Sequence, residues 1–200
     1  AVESDPISGR RQASLEEIAL SHDNRDPPSL GPPPRRRVRP LRQADIDYVA
    51  GEDAVAALAA QLPETLDLLT PIDEELASTF IYVPGKWTLK QVVGHMMDDE
   101  RIFAYRALCV ARNDSRPLLG FDEKEYVQFA GFEARGWADL LAEYRVVRES
   151  TLALFRTFTP EVWLRRGNVN GYDASVRGLA FHLAGHELHH LRIVREKYLG

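Results

Sequence analysis

The sequence has little of three features that would narrow its class at once: cysteine, long apolar runs and excess positive charge. Cys109 is the one cysteine among the 200 residues, which excludes an internal disulfide and fits a reducing cytosol. No apolar run approaches the roughly 20 residues that a helix needs to cross a bilayer, and the N-terminal stretch has no apolar core of a secretory signal. The formal net charge of -5 argues against nucleic acid as the main partner. We therefore expect a cytoplasmic protein with no membrane and no nucleic-acid partner.

The composition is that of a globular protein after an unusual start. Hydrophobic residues make up 44% of the chain and charged residues 28%, which is enough to fill a core. The first 42 residues differ, because "RDPPSLGPPPRRRVRP" concentrates prolines and arginines with few apolar residues. Such a segment cannot bury enough surface to offset the entropy of ordering it. We predict a disordered Pro/Arg-rich tail over residues 1–42 and one domain over residues 43–200.

Helical patterns dominate the chain from residue 43 onward, and no alternating strand pattern of useful length appears. Thr88 is the predicted N-cap of the second long helix and Asp173 that of the last, while Pro63 should kink or restart the first. "RRGNVNGYD" is interpreted as a turn-rich loop. Four long amphipathic segments predict an all-α protein that folds as a four-helix bundle. They are "EDAVAALAAQLPETLDLLTPI", "LKQVVGHMMDDERIFAYRALCVAR", "WADLLAEYRVVRESTLALFRTF" and "ASVRGLAFHLAGHELHHLRIVREKYL".

The last segment contains "GHELHH", which has the H-E-x-x-H spacing of a zinc protease. His182, His186 and His190 stand four residues apart, so successive members lie about 40° apart around a helix and about 6 Å along it. Neighbouring members can therefore bind one ion, whereas His182 and His190, about 12 Å apart, cannot share one directly. The spacing indicates a metal site, with histidines that merely pack in the core as the structural alternative.

A metal site here needs a third ligand from earlier in the chain. Zinc proteases take it from downstream, but Glu196 lies about 240° around the helix from His190 and faces away. His95 is the best upstream candidate, since it is the one histidine between His22 and His182. Three histidine ligands would leave coordination positions open, which favours catalysis over a purely structural role.

Acidic residues follow His95 at once. Asp99, one turn later, can accept the second N–H of a ligand histidine or bind the metal itself. For Asp98 and Glu100 a solvated charge run is the preferred interpretation. Imidazole suits several metals, so nickel, zinc, iron and manganese all stay open at this point.

Three stretches in order resemble the DinB/YfiT-like superfamily: "YVPGKWTLKQVVGHMMDDERIFAYRALCVARND", "PLLGFDEKEYV" and "SVRGLAFHLAGHELHHLRIVREKYL". The likeness runs from about residue 43 to residue 199. It implies a four-helix bundle of down-up-up-down topology with a long crossover between helices two and three. It also implies a divalent metal, commonly nickel or zinc, held by one histidine of helix two and two of helix four. In this sequence the resemblance assigns these ligands to His95, His186 and His190. It therefore favours His186 and His190 as the ligand pair of the last helix over His182 and His186.

The resemblance implies an enzyme that acts on a small molecule of unknown identity. Members are often described as metal-dependent hydrolases, and some relatives are transferases or isomerases that use a low-molecular-weight thiol. The metal would activate water or such a thiol. The resemblance assigns no role to Glu187, and we expect Asp99 or Glu187 to orient a ligand or move a proton. Dimers are common in the family, so a homodimer is expected. The alternatives are a metal-binding stress or interaction protein without turnover, and a bundle whose histidines only pack.

Several other side chains are weaker candidates. Arg101 and Arg106 can bind a carboxylate of a thiol cofactor, although surface ion pairs are the preferred interpretation of both. Four aromatic residues can line a pocket, although core packing is preferred for them. They are Trp87, Phe103, Tyr105 and Tyr126.

Overall fold

The computed structural model describes Val49 and residues 53–200. The tail predicted for residues 1–42 and the domain boundary predicted at residue 43 lie outside this range. Among the helices of the described part, none has both the length and the apolar character that crossing a bilayer requires.

Four long helices form the bundle: α1 (Ala54–Leu69), α3 (Leu89–Ala111), α5 (Trp137–Phe155) and α7 (Val176–Ile193). Three short helices lie between them, α2 (Glu74–Thr79), α4 (Glu123–Ala130) and α6 (Pro160–Trp163), and a π-helical turn, Val194–Leu199, extends α7. Helix α3 packs against α5 and α7, and α1 packs against the same two, which places α1 opposite α3. A long connection, residues 112–136, joins α3 to α5. The predicted four-helix bundle is confirmed.

The start of α3 follows the predicted cap. The Thr88 hydroxyl accepts a hydrogen bond from the Gln91 N–H at 3.3 Å, and the Gln91 side-chain oxygen accepts one from the Thr88 N–H at 3.0 Å. This reciprocal pair satisfies two N–H groups that have no partner inside the helix. Helix α1 runs through Pro63 without a restart. Pro63 lies on the exposed side of the helix, so the backbone carbonyl one turn earlier, which receives no N–H from proline, can bond to water.

The cap predicted for the last helix is wrong. Ser175 caps α7, and its hydroxyl accepts from the Gly178 N–H at 3.0 Å. Asp173 instead lies in a strand, where its carboxylate accepts from the Arg166 side chain at 2.8 Å. Strand β2 (Tyr172–Ser175) continues two residues past Asp173 before helix α7 begins, so Ser175 occupies the cap position.

The loop predicted for "RRGNVNGYD" is a β-hairpin, with β1 (Arg166–Val169) paired antiparallel to β2 (Tyr172–Ser175). Asn170 and Gly171 form the turn with φ of 56° and 83°, as a two-residue type I′ turn requires. The Asn-Gly pair was the available signal, but four-residue strands are too short to show alternation. Leu118 of the long connection bonds to this hairpin, its N–H donating to the Asn168 carbonyl of β1 at 2.9 Å.

A glycine lets the long connection close against α3. An added Cβ at Gly94 would lie 2.3 Å from the ring of Phe132, which is buried in a 3₁₀ turn of the connection. Any larger side chain would therefore displace this aromatic residue. The glycine that precedes His95 is explained by this contact.

Candidate metal centre

Three histidine side chains converge where α3 faces α7. His95 comes from α3, and His186 and His190 come from successive turns of α7. The Nε2 atom of His186 lies 3.1 Å from Nε2 of His95 and 3.1 Å from Nε2 of His190. All three side chains offer a ring nitrogen within 4.8 Å of the other two, with His95 buried and the others half-buried. The structure therefore brings together the three ligands predicted from the sequence.

The donor chemistry of this cluster suits a cation. A neutral imidazole has one N–H and one lone pair. Asp99 Oδ2 lies 3.3 Å from Nδ1 of His186, so a proton on Nδ1 faces the carboxylate and the Nε2 lone pair faces the other two rings. Adjacent metal ligands at about 2.0–2.1 Å in octahedral or tetrahedral geometry lie about 2.8–3.4 Å from one another. The two 3.1 Å separations match this spacing, so the residues fit a divalent ion such as zinc or nickel.

The protonation of His190 agrees with a ligand role. Burial, followed by the neighbouring imidazoles of His186 and His95, holds the pKa of His190 well below its ordinary value. The ring is therefore neutral near pH 7. Because a histidine must be neutral to bind a metal, no proton has to be removed from His190 first.

The carboxylate of Asp99 lies close to two histidine rings. It is buried, and its Oδ2 atom lies 3.3 Å from Nδ1 of His186 and 3.4 Å from Nε2 of His182. His182 is itself buried and stacks on Phe103 with ring centroids 3.9 Å apart. The spacing in the sequence left open whether His182 and His186 are the ligand pair. In the structure His182 lies next to Asp99 and is not one of the three converging histidines. This geometry suits Asp99 to orient the His186 ring.

Glu187, the acidic residue inside the H-E-x-x-H motif, belongs to a buried polar network. Its Oε1 atom accepts hydrogen bonds from the hydroxyls of Thr65 and Tyr144, and its Oε2 atom lies 2.6 Å from Nη2 of Arg148. Burial, and then the charge of Glu187, raises the pKa of Tyr144 well above its ordinary value, so the phenol stays protonated and donates. Helix α7 is thereby anchored to α1 and α5 between the two histidines that it contributes.

A small cavity is lined both by residues of this network and by His186 of the histidine cluster. Its volume is about 10 Å³, and its walls include His186, Glu187, Tyr144 and Arg148. That volume suits about one water molecule. Since the wall is largely polar, such a water would have partners on both sides.

The solvated interpretation of Glu100 is wrong. Glu100 is 3% exposed, and its two carboxylate oxygens accept from Nε and Nη2 of Arg148 at 2.8 Å each. Its partner lies on a different helix 48 residues away, so no local pattern could reveal the pair. Asp98 is half-buried, and its Oδ1 atom lies 3.7 Å from Nη1 of Arg101, whose side chain is 46% exposed. The surface ion pair expected for Arg101 is therefore present.

The four aromatic candidates divide between two places. The Trp87 ring lies beside the His95 ring, with centroids 4.9 Å apart, and Phe103 stacks on His182. Tyr105 and Tyr126 are 56% and 47% exposed and line a separate cleft. Only the first pair therefore lies against the histidines.

The fold and the site define a helical bundle in which three imidazoles converge. Comparison with known proteins identifies the family of this bundle. A model of the DinB superfamily matches residues 57–194, and the chain belongs to that superfamily. The search of curated proteins found no match.

Two solved structures share the fold. YfiT from Bacillus subtilis, described as "a probable metal-dependent hydrolase with an unusual four-helix bundle topology", is 17% identical with a TM-score of 0.65, covering 80% of this chain and 89% of YfiT. The mycothiol-dependent maleylpyruvate isomerase is 10% identical with a TM-score of 0.59, covering 73% of this chain and 61% of the isomerase. At these identities the likeness shows the fold alone.

Proposed function

We propose that this protein is a metal-dependent enzyme in which His95, His186 and His190 hold one divalent cation. The observation that carries the proposal is the convergence of three imidazole nitrogens from two helices, with two separations of 3.1 Å. A cation bound by three protein ligands keeps an open position and supplies Lewis-acid activation of water or of a thiol. Zinc and nickel are the expected ions, and iron and manganese bind the same donors.

The residues around the ligands have distinct roles in this proposal. Asp99 Oδ2 lies 3.3 Å from Nδ1 of His186, so its charge favours a proton on Nδ1 and the tautomer that presents Nε2 to the metal. Trp87 covers one side of the His95 ring. Glu187 is less suited to move a proton at the metal than Asp99, because its oxygens are engaged by Thr65, Tyr144 and Arg148.

Hydrolysis is the first candidate reaction, and thiol transfer is the second. YfiT, which the chain matches over 89% of its length, is described as "a probable metal-dependent hydrolase". The isomerase of the same fold uses mycothiol, which supports a low-molecular-weight thiol as the alternative nucleophile. The substrate in either case would be a small molecule that enters the open side of the metal.

Metal analysis of protein purified without a histidine tag tests the site. We expect one zinc or nickel ion per chain in the wild-type protein and loss of that ion in His186→Ala. His189→Ala is the matched control, since His189 lies on the same helix and outside the three-histidine cluster. Equal metal content in His186→Ala and wild type would leave the packed-histidine alternative standing.

A substrate panel separates an enzyme from a metal-binding protein without turnover. Esters, amides and pairs of a thiol with an electrophile are assayed with the metal-loaded wild type and with His95→Ala. Turnover of an ester or amide above the variant supports the hydrolase, and turnover that requires the thiol supports the transferase. Metal binding without turnover would instead favour a stress or interaction protein.

The proposals on assembly and location rest on the sequence and the family resemblance. We propose a homodimer, which light scattering would report as twice the chain mass of 22.6 kDa. A cytoplasmic location, and the absence of membrane and nucleic-acid partners, stay predictions.

A further inference from the structure

A cleft of about 480 Å³ opens where α3 meets the connection that follows it. Its wall comes from α3 through Ile102, Tyr105 and Arg106, from residues 116–121 of the connection, and from Tyr126 of α4. A volume of this size suits a small organic ligand. Arg106 follows His95 by eleven residues on one helix, which is about 16 Å along the axis. The cleft is therefore a separate place from the histidine cluster.

Arg106 is a buried cation in the wall of this cleft. It is 4% exposed, and its Nη2 donates to the Leu119 carbonyl at 2.7 Å. Among residues 53–200, no carboxylate oxygen comes within 4.0 Å of its guanidinium, the distance that defines an ion pair. Burial lowers the pKa of Arg106, and the charge of Asp99 only partly opposes this effect. A desolvated charge without a close counter-ion is costly, so an anion in the cleft would relieve the cost.

Aromatic rings hold the guanidinium in place. Its Cζ atom lies 4.5 Å from the centroid of the Phe103 ring and 5.6 Å from that of Phe121. Stacking of this kind fixes the plane of the guanidinium and leaves the N–H groups at its edge for hydrogen bonds. A planar fork of N–H donors matches the two oxygens of a carboxylate.

The rest of the wall is mainly apolar. Phe121 and Tyr126 lie against each other with centroids 5.0 Å apart, and Leu118 and Ile102 add aliphatic surface. The second arginine of the cleft, Arg116, is exposed and already paired with Asp114 at 2.7 Å. The buried arginine is therefore the better anchor, with an apolar body packed beside it.

We propose that this cleft binds an organic carboxylate that has an apolar or aromatic body, with Arg106 pairing with the carboxylate. The body lies against Phe121 and Tyr126. The site is distinct from the three histidines, so binding does not require the metal.

Isothermal titration of the full chain with 4-phenylbutyrate and with its neutral amide tests the charge requirement. We expect the acid to bind at least about tenfold more tightly than the amide, since a hydrogen bond to a charged group contributes about 1.5–3 kcal/mol. Equal affinity for the two compounds, or no binding of the acid at millimolar concentration, would overturn the proposal.

Variants then locate the site. Arg106→Met should abolish the preference for the acid, while Arg116→Met, a matched change at the rim, should keep it. Because a change at a buried arginine can unfold the chain, Ile102→Trp provides a second test that fills the cleft and keeps Arg106. Circular dichroism establishes that each variant is folded. Wild-type binding of the acid by Ile102→Trp would place the ligand elsewhere and overturn the proposal.

A metal-site variant distinguishes this inference from the proposed function. His190→Ala should bind the acid as the wild type does. Loss of acid binding in His190→Ala with folding intact would place the carboxylate at the histidines and refute a separate site. Acid binding by a wild-type protein that holds no metal even after loading with zinc or nickel would refute the proposed function alone.

Discussion

The ion pairs of Arg148 support a quantitative prediction about what holds the bundle together. This side chain is 1% exposed and donates to both oxygens of Glu100 at 2.8 Å. It also lies 2.6 Å from an oxygen of Glu187 and donates to the Leu58 carbonyl at 3.0 Å. Arg148→Met replaces the long side chain with an apolar one and leaves two buried carboxylates without their cation.

Removing one partner of a buried ion pair costs about 3–5 kcal/mol, because the remaining charge stays desolvated. For a domain of roughly 150 residues each kcal/mol lowers Tm by roughly 2–4 °C, so Arg148→Met should lower Tm by roughly 6–20 °C. Arg101→Met is the matched control, since Arg101 pairs with Glu143 through a side chain that is 46% exposed. An exposed pair contributes less than about 1 kcal/mol.

Urea and thermal unfolding followed by circular dichroism measure both variants. Arg148→Met combined with Glu100→Gln and Glu187→Gln should recover part of the lost stability, because the stranded charges are then gone. Equal Tm values for Arg148→Met and Arg101→Met would refute the reasoning, and so would a triple variant less stable than Arg148→Met alone.

Three further predictions address the site and its helix. Asp99→Asn should lower the zinc affinity by roughly 10–100-fold, measured in competition with a chelating indicator, and Asp98→Asn should leave it at the wild-type value. Equal zinc affinities of Asp99→Asn and wild type would exclude an orienting role for Asp99. Ser175→Ala should lower the free energy of unfolding by about 1 kcal/mol, and Asp173→Ala by less than about 0.5 kcal/mol. A larger loss in Asp173→Ala than in Ser175→Ala would contradict Ser175 as the cap of α7. Because the folded pKa of His190 is depressed, the unfolded chain binds the extra proton below about pH 6.5. Metal-free protein should therefore lose up to about 1.4 kcal/mol of stability between pH 7.5 and 5.5 in urea unfolding, and a gain at the lower pH would contradict this.

Local signals in the sequence predicted the helices well, and they failed at the cap of the last helix. Thr88 caps α3 as predicted, because its partner Gln91 lies three residues away and the whole motif is local. Asp173 was predicted as the cap of α7 because aspartate is a frequent capping residue. The hairpin instead holds Asp173 in a strand and brings Ser175 to the cap, and its strands of four residues are too short for a pattern of alternation to be seen.

Contacts between distant helices were beyond the reach of sequence patterns. The spacing of His186 and His190 is a property of one helix, and the search for a third ligand led to His95. The environment of Glu187 depends on side chains that α1 and α5 bring from far along the chain. Its place in an H-E-x-x-H motif suggested proton transfer, and its buried partners indicate an anchor for the helix.

Anomalous diffraction at the zinc or nickel absorption edge, on crystals of tag-free protein, tests the central claim most directly. The account predicts one peak per chain, about 2.0–2.1 Å from a ring nitrogen of His95, His186 and His190, with at least one coordination position not occupied by protein. The absence of a peak between these three rings after loading with either ion, or a peak held by other residues, would contradict it.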